Sequence, residues 1–94
     1  MLRELQGGAR IYPVMQAEGF DKAIIGVGCS FGRSNVLVYD TQKIIEILVG
    51  RDGMTEEEAR EYFEFNILGS YNGEGMPVFV DTQPEEMLDD MLAN

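Results

Sequence analysis

The chain has no histidine. That removes the commonest general base and the commonest metal ligand together. It has one cysteine, Cys29, so no intramolecular disulfide can form, and the composition fits a reducing compartment. Bases are scarce: seven Lys and Arg stand against seventeen Asp and Glu, for a formal charge of −10. Such a surface repels nucleic-acid phosphates and anionic lipid, so direct binding of DNA, RNA or a membrane surface is not expected. It suits a basic partner protein, or a strongly solvated surface. No apolar run reaches the roughly 18 residues that suggest a membrane span. No long apolar stretch opens the sequence, so no secretory signal is expected. What remains, in 94 residues, is enough for one domain with a modest core.

The clearest element present is a helix over residues 52–69, within RDGMTEEEAREYFEFNILG. Thr55 followed by Glu58 is a capping box: the hydroxyl accepts from the Glu58 amide and the carboxylate reaches back to the Thr55 amide. Glu56, Glu57 and Glu58 put negative charge where the helix dipole favours it. Ala59, Tyr62, Phe63, Asn66 and Ile67 recur at helical spacing and form one stripe. Glu57, Arg60, Glu61 and Glu64 form the wet face. Phe65 lies at the stripe's edge and needs cover from another element. Gly69 is placed to end the helix in the left-handed conformation. Asn66 is the polar member of the stripe and must find hydrogen-bond partners if buried.

The rest of the chain falls into order around this helix. Residues 1–19 form a poorly patterned arm. Leu2 and Leu5 read as the start of a short helix that Gly7 and Gly8 stop. RIYPVMQ (residues 10–16) suits an edge strand or extended arm around Pro13. AIIGVG (residues 23–28) reads as a buried strand, CSFGRSN as a turn, and VLVYD (Val36–Asp40) as the next strand, giving an antiparallel hairpin. Asp40 or Thr41 caps a helix with Ile44, Ile45 and Leu48 on its main apolar face, broadened by Ile47 and Val49. The short RDG link to the central helix makes an αα-hairpin. Residues 69–76 (GSYNGEGM) form a glycine-rich loop, and Val78–Val80 a third strand. Thr82 and Glu85 repeat the capping box with Pro84 in the first turn. The helix that follows sets Met87, Leu88, Met91 and Leu92 against Glu85, Glu86, Asp89 and Asp90. The expected fold class is α+β: a small antiparallel sheet of about three strands packed on a helical hairpin, plus a short C-terminal helix. The chain reads as one domain, with a core over residues 20–80.

Some motifs tempt without carrying chemistry. Gly28-Cys29-Ser30-Phe31-Gly32 matches G-x-S-x-G after a predicted strand, the written form of a nucleophile elbow. A helix should follow, yet a strand does, and no histidine can take the serine proton. Gly26-x-Gly28 is not a dinucleotide fingerprint, because Phe31 stands where the third glycine belongs. Cys29 is read as a small structural hydrophobe. The carboxylates of residues 56–64 and 85–90 lack the spacing of a calcium loop and are read as solvated helix faces. No catalytic residue, cofactor or metal ion is expected.

From Phe20 to Val80 the chain resembles a group of small uncharacterised proteins encoded in bacteriophage genomes. The residues that carry the resemblance are FDKAIIGVG (residues 20–28), VLVYD, and GMTEEEAREYFEFNILGSYNGEGMPVF (residues 53–79). The FEFN tetrad ending at Asn66, followed by Gly69 and Gly73-Glu74, is the most distinctive part. The resemblance implies a phage origin and a location in the host cytoplasm, and brings no established activity with it. Residues 1–19 and 84–94 lie outside it.

Two functions follow as expectations. The first is a phage accessory protein that binds a host protein with a basic surface, such as a defence or regulatory factor, through an acidic face able to mimic nucleic acid. Its interface would be Glu85, Glu86, Met87, Asp89, Asp90 and Met91. The second is a small-molecule module for a nucleotide or metabolite, using Asn66, Tyr71, Asn72 and Glu74 around the glycine-rich loop. The C-terminal helix is too short to stand alone in water. Two burials are open to its apolar face: its own domain, or another subunit or partner, which would make a homo-oligomer one outcome.

Overall fold

The computed structural model describes residues 2–4, 14–32, 35–70, 75–82 and 85–93. In chain order the elements are β1 (Leu2–Glu4), β2 (Met15–Ala17), a 3-10 turn (Asp21–Ala23), β3 (Ile24–Gly28), β4 (Val36–Asp40), α1 (Thr41–Asp52), α2 (Glu56–Tyr62) continuing as a π-helical segment (Phe63–Leu68), β5 (Val78–Val80) and α3 (Glu85–Leu92). This is an α+β fold.

β4 passes straight into α1. Asp40 makes that possible: its backbone is still extended while its Oδ1 accepts the Gln42 N–H at 3.0 Å, satisfying an orphan donor of the first turn. Ile44, Ile45 and Leu48 then come round on one face and are fully buried. Each such burial stabilises by roughly 1.5–3 kcal/mol. Gly53 ends α1 at φ 72°, where a side chain would be strained. Thr55 starts α2 with both halves of the capping box, Thr55 N–H to Glu58 Oε1 at 2.9 Å and Glu58 N–H to Thr55 Oγ1 at 3.1 Å. The two helices form the expected hairpin, and Ala59, Phe63 and Ile67 supply its inner stripe.

The sheet order is β3-β4-β5. β3 and β4 pair antiparallel, with Val27 opposite Leu37 and Gly28 opposite Val36. β5 joins β4 in parallel, Val38 against Val78 and Tyr39 against Phe79. The sheet is therefore mixed, where the sequence suggested antiparallel pairing throughout. A parallel partner needs a crossover connection, and the αα-hairpin between β4 and β5 is that crossover. Leu37, Tyr39 and Phe79 face the helices and pack with the core of Phe20, Ile44, Ile45, Leu48, Phe63 and Ile67. Tyr39 stacks on Phe79 with ring centroids 5.6 Å apart, and Phe79 meets Phe63 edge-on at 5.3 Å.

The N-terminal segment departs from its expected form. Residues 2–4 are a strand, not the start of a helix, because β1 finds a partner in β2: Leu2 opposite Ala17 and Glu4 opposite Met15. β2 in turn is tied to the core. The Ala17 N–H donates to Tyr39 Oη at 2.8 Å, and the Met15 N–H to the Gly75 carbonyl at 2.9 Å. Arg51 clamps the following turn by donating to the Gly19 carbonyl at 2.8 Å, its guanidinium 5.0 Å from the Phe20 ring centre. Residues 10–13 of the proposed arm lie outside the described residues.

Two further expectations are corrected. The run at residues 23–28 is not a buried strand: Ala23 is buried in the 3-10 turn, while Ile25 and Val27 are exposed. The run becomes the edge of the sheet, and a bulge at Ile25 shifts its pairing, so that Ile24 opposes Tyr39 and Gly26 opposes Val38. Gly69 has φ −88° and is not left-handed, because the helix ends in π turns instead of an α-type cap.

Tyr39→Phe should cost about 1–3 kcal/mol in urea denaturation, since it leaves the Ala17 amide buried without its acceptor. The Tyr39 phenol is held above its ordinary 10.0, chiefly by burial, with the Ala17 N–H acting against the shift and Asp21 adding to it. The stability this group adds is present below the unfolded-state value and is lost as pH rises through the raised folded one. A stability profile taken into the alkaline range should therefore fall less steeply for Tyr39→Phe than for the wild type.

Candidate binding cleft

The helix that carries the inner stripe carries a second stripe outward. Glu58, Glu61, Tyr62 and Phe65 follow at i, i+3, i+4 and i+7, which places them on one face. With Met54 from the turn before α2 and Asn66 from the π segment, they line an open cleft of about 500 Å³. Met54 and Tyr62 are half-buried and form the apolar floor. Phe65 is 73% exposed, far more than an ordinary helix surface needs, and forms one wall.

The π segment sets this geometry. In an α-helix, Asn66 would return to within about 60° of Phe63 and join the buried stripe. A π turn closes i to i+5, as in the 3.1 Å bond from the Gly69 N–H to the Glu64 carbonyl. Each residue then advances by a smaller angle, so Asn66 stops short of the core and faces solvent. This corrects its expected place in the buried stripe. Phe63 and Ile67 stay inside. At Gly69 a Cβ would stand 3.1 Å from the Glu64 carbonyl oxygen and 3.6 Å from that of Phe65, so the widened turn closes most easily over glycine.

The electrostatics of the cleft have one sign. Among the described residues Glu58 and Glu61 line it, and no base does. Arg60, the single base of α2, points to another neighbourhood, where it donates to Glu56 Oε1 and Gln42 Oε1, both at 3.1 Å. Glu58 is held in place by its capping bond to Thr55. The cleft can therefore take a cationic group beside an apolar one. Among the described residues no cluster of acids or cysteine is arranged to hold a metal ion.

A second cleft, also about 500 Å³, lies between the 3-10 turn and α1 and is lined by Gly19, Asp21, Lys22, Glu46, Ile47, Gly50 and Arg51. Its charges are of both signs. Arg51 is engaged by Gly19 and by Asp52, whose carboxyl it holds below the usual range through their hydrogen bond. That cleft offers a ligand less of a distinct character.

Of the residues singled out in the sequence for ligand binding, only Asn66 is placed, and it lines the α2 cleft. Tyr71, Asn72 and Glu74 lie outside the described residues. The loop's far end is anchored, because Gly75 is buried and bonded to Met15. Of the proposed interface on α3, Asp89, Asp90 and Met91 are exposed, and Met91 and Leu92 are each 73% open to solvent. The side chains of Glu85, Glu86 and Met87 lie outside the described residues, as do residues 83–84 of the cap. Cys29 and Ser30 sit exposed in the turn after β3, where the sequence placed them, so Cys29 fills a turn and not the core. The chain beyond Gly32 returns as β4 without opening a helix, which is hairpin geometry and not that of a nucleophile elbow. Sequence reasoning missed Met54, Glu58, Glu61, Tyr62 and Phe65 as a lining. The signal was there in the 58-61-62-65 spacing, and the unexplained Phe65 was its marker.

The two faces of the helix should separate in their response to truncation. Phe63→Ala should cost about 3–5 kcal/mol in urea denaturation as a core deletion. Phe65→Ser should change stability by no more than about 0.5 kcal/mol, as a surface change does.

Compared with protein-family models, with curated proteins and with solved structures, the chain matches none.

Proposed function

We propose that the chain is a small binding protein that takes a basic, partly apolar segment of a partner protein on the α2 cleft. One observation carries the reading: Tyr62, Met54 and the exposed Phe65 form an apolar site lined by Glu58 and Glu61, with no base among the described residues of its lining. Exposed aromatic side chains next to one sign of charge are what a complementary partner recognises. The overall charge of −10 draws such a partner in from a distance. The phage resemblance of residues 20–80 extends the proposal to an accessory protein acting in the host cytoplasm on a host protein, such as a defence or regulatory factor.

Asn66 favours a second reading. It adds a carboxamide to a cleft of small-molecule size. Its glutamates select a cationic metabolite over a nucleotide, whose phosphates they repel.

The test is capture of partners from host lysate by immobilised wild type, Phe65→Ala and Glu61→Lys, followed by affinity measurement on the purified partner. Each variant should weaken binding at least tenfold, about 1.4 kcal/mol, and added salt should weaken the wild-type complex. Capture of the same partners by wild type and both variants alike would refute the cleft as the site. A rise in Tm with small polyamines that Asn66→Ala abolishes would favour the second reading.

A further inference from the structure

The acidic character of the chain has a gap. Residues 22–39 contain no Asp or Glu, although the whole chain has seventeen. This stretch holds the β3-β4 hairpin up to Tyr39, with Asp40 at the far end of β4 the first acid after it, and its outer strand is the edge of the sheet. Among the described residues no strand pairs with the outer side of β3. The strand reads IIGVG, with no charge, no proline and nothing bulky at its glycines. Ile25 is 45% exposed, Val27 60%, and Phe31 in the following turn is fully exposed. Natural proteins usually protect such an edge with lysine, proline or inward-pointing charges. Among the described residues the bulge at Ile25 is the one protective device here, and Gly26 to Gly28 beyond it pair regularly.

We propose that this edge is a homodimer interface, in which β3 of one copy pairs antiparallel with β3 of a second about a twofold axis at Gly26. Three features select a second copy as the occupant. Two molecules of charge −10 repel each other over most of their surfaces, and the acid-free hairpin is the stretch where that repulsion is least. An antiparallel pair of identical strands is self-complementary and closes as a dimer instead of growing into a fibre. The register about Gly26 sets Ile25, left unpaired by the bulge, opposite Val27 of the second copy. That forms two β-branched cross-strand pairs of the kind that stabilise sheets. The two three-stranded sheets then become one of six strands. The α2 cleft takes no part in this contact, so the two proposals stand or fall separately.

The register gives a direct test. A Cβ at Gly26 would meet nothing within 4 Å, so a side chain there is accommodated. Across the axis the two Cα atoms would be about 4.5–5.5 Å apart, within disulfide range. Gly26→Cys in a Cys29→Ser background should form a disulfide-linked dimer on air oxidation. The wild-type chain should not, because its two Cys29 residues would lie roughly 20 Å apart in this register. In sedimentation velocity the wild type should show a concentration-dependent monomer–dimer equilibrium. Val27→Lys should weaken it at least tenfold with an unchanged circular dichroism spectrum. A wild type that is monomeric at every concentration, with no disulfide from Gly26→Cys, overturns the proposal. So does a dimer that survives Val27→Lys. A dimer lost instead on Met87→Asp with Met91→Asp assigns the contact to α3 and overturns it equally.

Discussion

The end of β4 is where this protein is held together. Tyr39 and Asp40 are adjacent, and their side chains leave the strand in opposite directions. The Tyr39 ring lies on Phe79 of β5, and through it reaches Phe63 of the second helix, while its hydroxyl accepts the backbone of β2. Asp40 caps α1 and receives a longer bond, 3.5 Å, from Thr82 beyond β5. Two residues thus tie both sheets and both helices of the hairpin to one point. A polar group buried there is tolerated because it is bonded: among the described residues no buried side-chain nitrogen or oxygen lacks a partner.

Where local chemistry decides the structure, the sequence was a good guide. The Thr55–Glu58 box, the Asp40 cap and the Ile44-Ile45-Leu48 face depend on neighbours within one or two turns, and each is found where residue types place it. What depends on distant partners was not legible. β1 is a strand because β2 lies beside it, a fact absent from Leu2–Glu4 itself. The apolar run before Gly28 suggested burial, but whether a strand is central or at an edge is settled by the order of the others. The direction of β5 was set by a crossover and left no mark on three residues. The site was half legible: Asn66 and Phe65 were each conspicuous, yet their common placement required the π turns, and no residue type announces a π turn.

Charge divides the surface into regions with different uses. The outer side of the second helix and the exposed end of α3 are acidic, while the hairpin from Lys22 to Tyr39 has no acid at all. An apolar side chain has a different meaning in each. Phe65 lies exposed beside glutamates, which favour a cationic neighbour. Val27 and Phe31, away from any carboxylate in their own hairpin, offer contact without that preference. Both kinds of exposure are more tolerable where a net charge of −10 opposes non-specific association.

The bond between Met15 and Gly75 joins positions near opposite ends of the chain. The β3-β4 hairpin and the αα-hairpin each join elements adjacent in the chain, and such local closures lose less entropy than distant ones. β2 cannot complete its contacts until the chain beyond the π segment has turned back. The sequence separation of this contact makes its docking expected later than that of either hairpin. The core beside it, Tyr39 foremost, thus takes part of its shelter from a strand whose own anchor lies some sixty positions further along the chain.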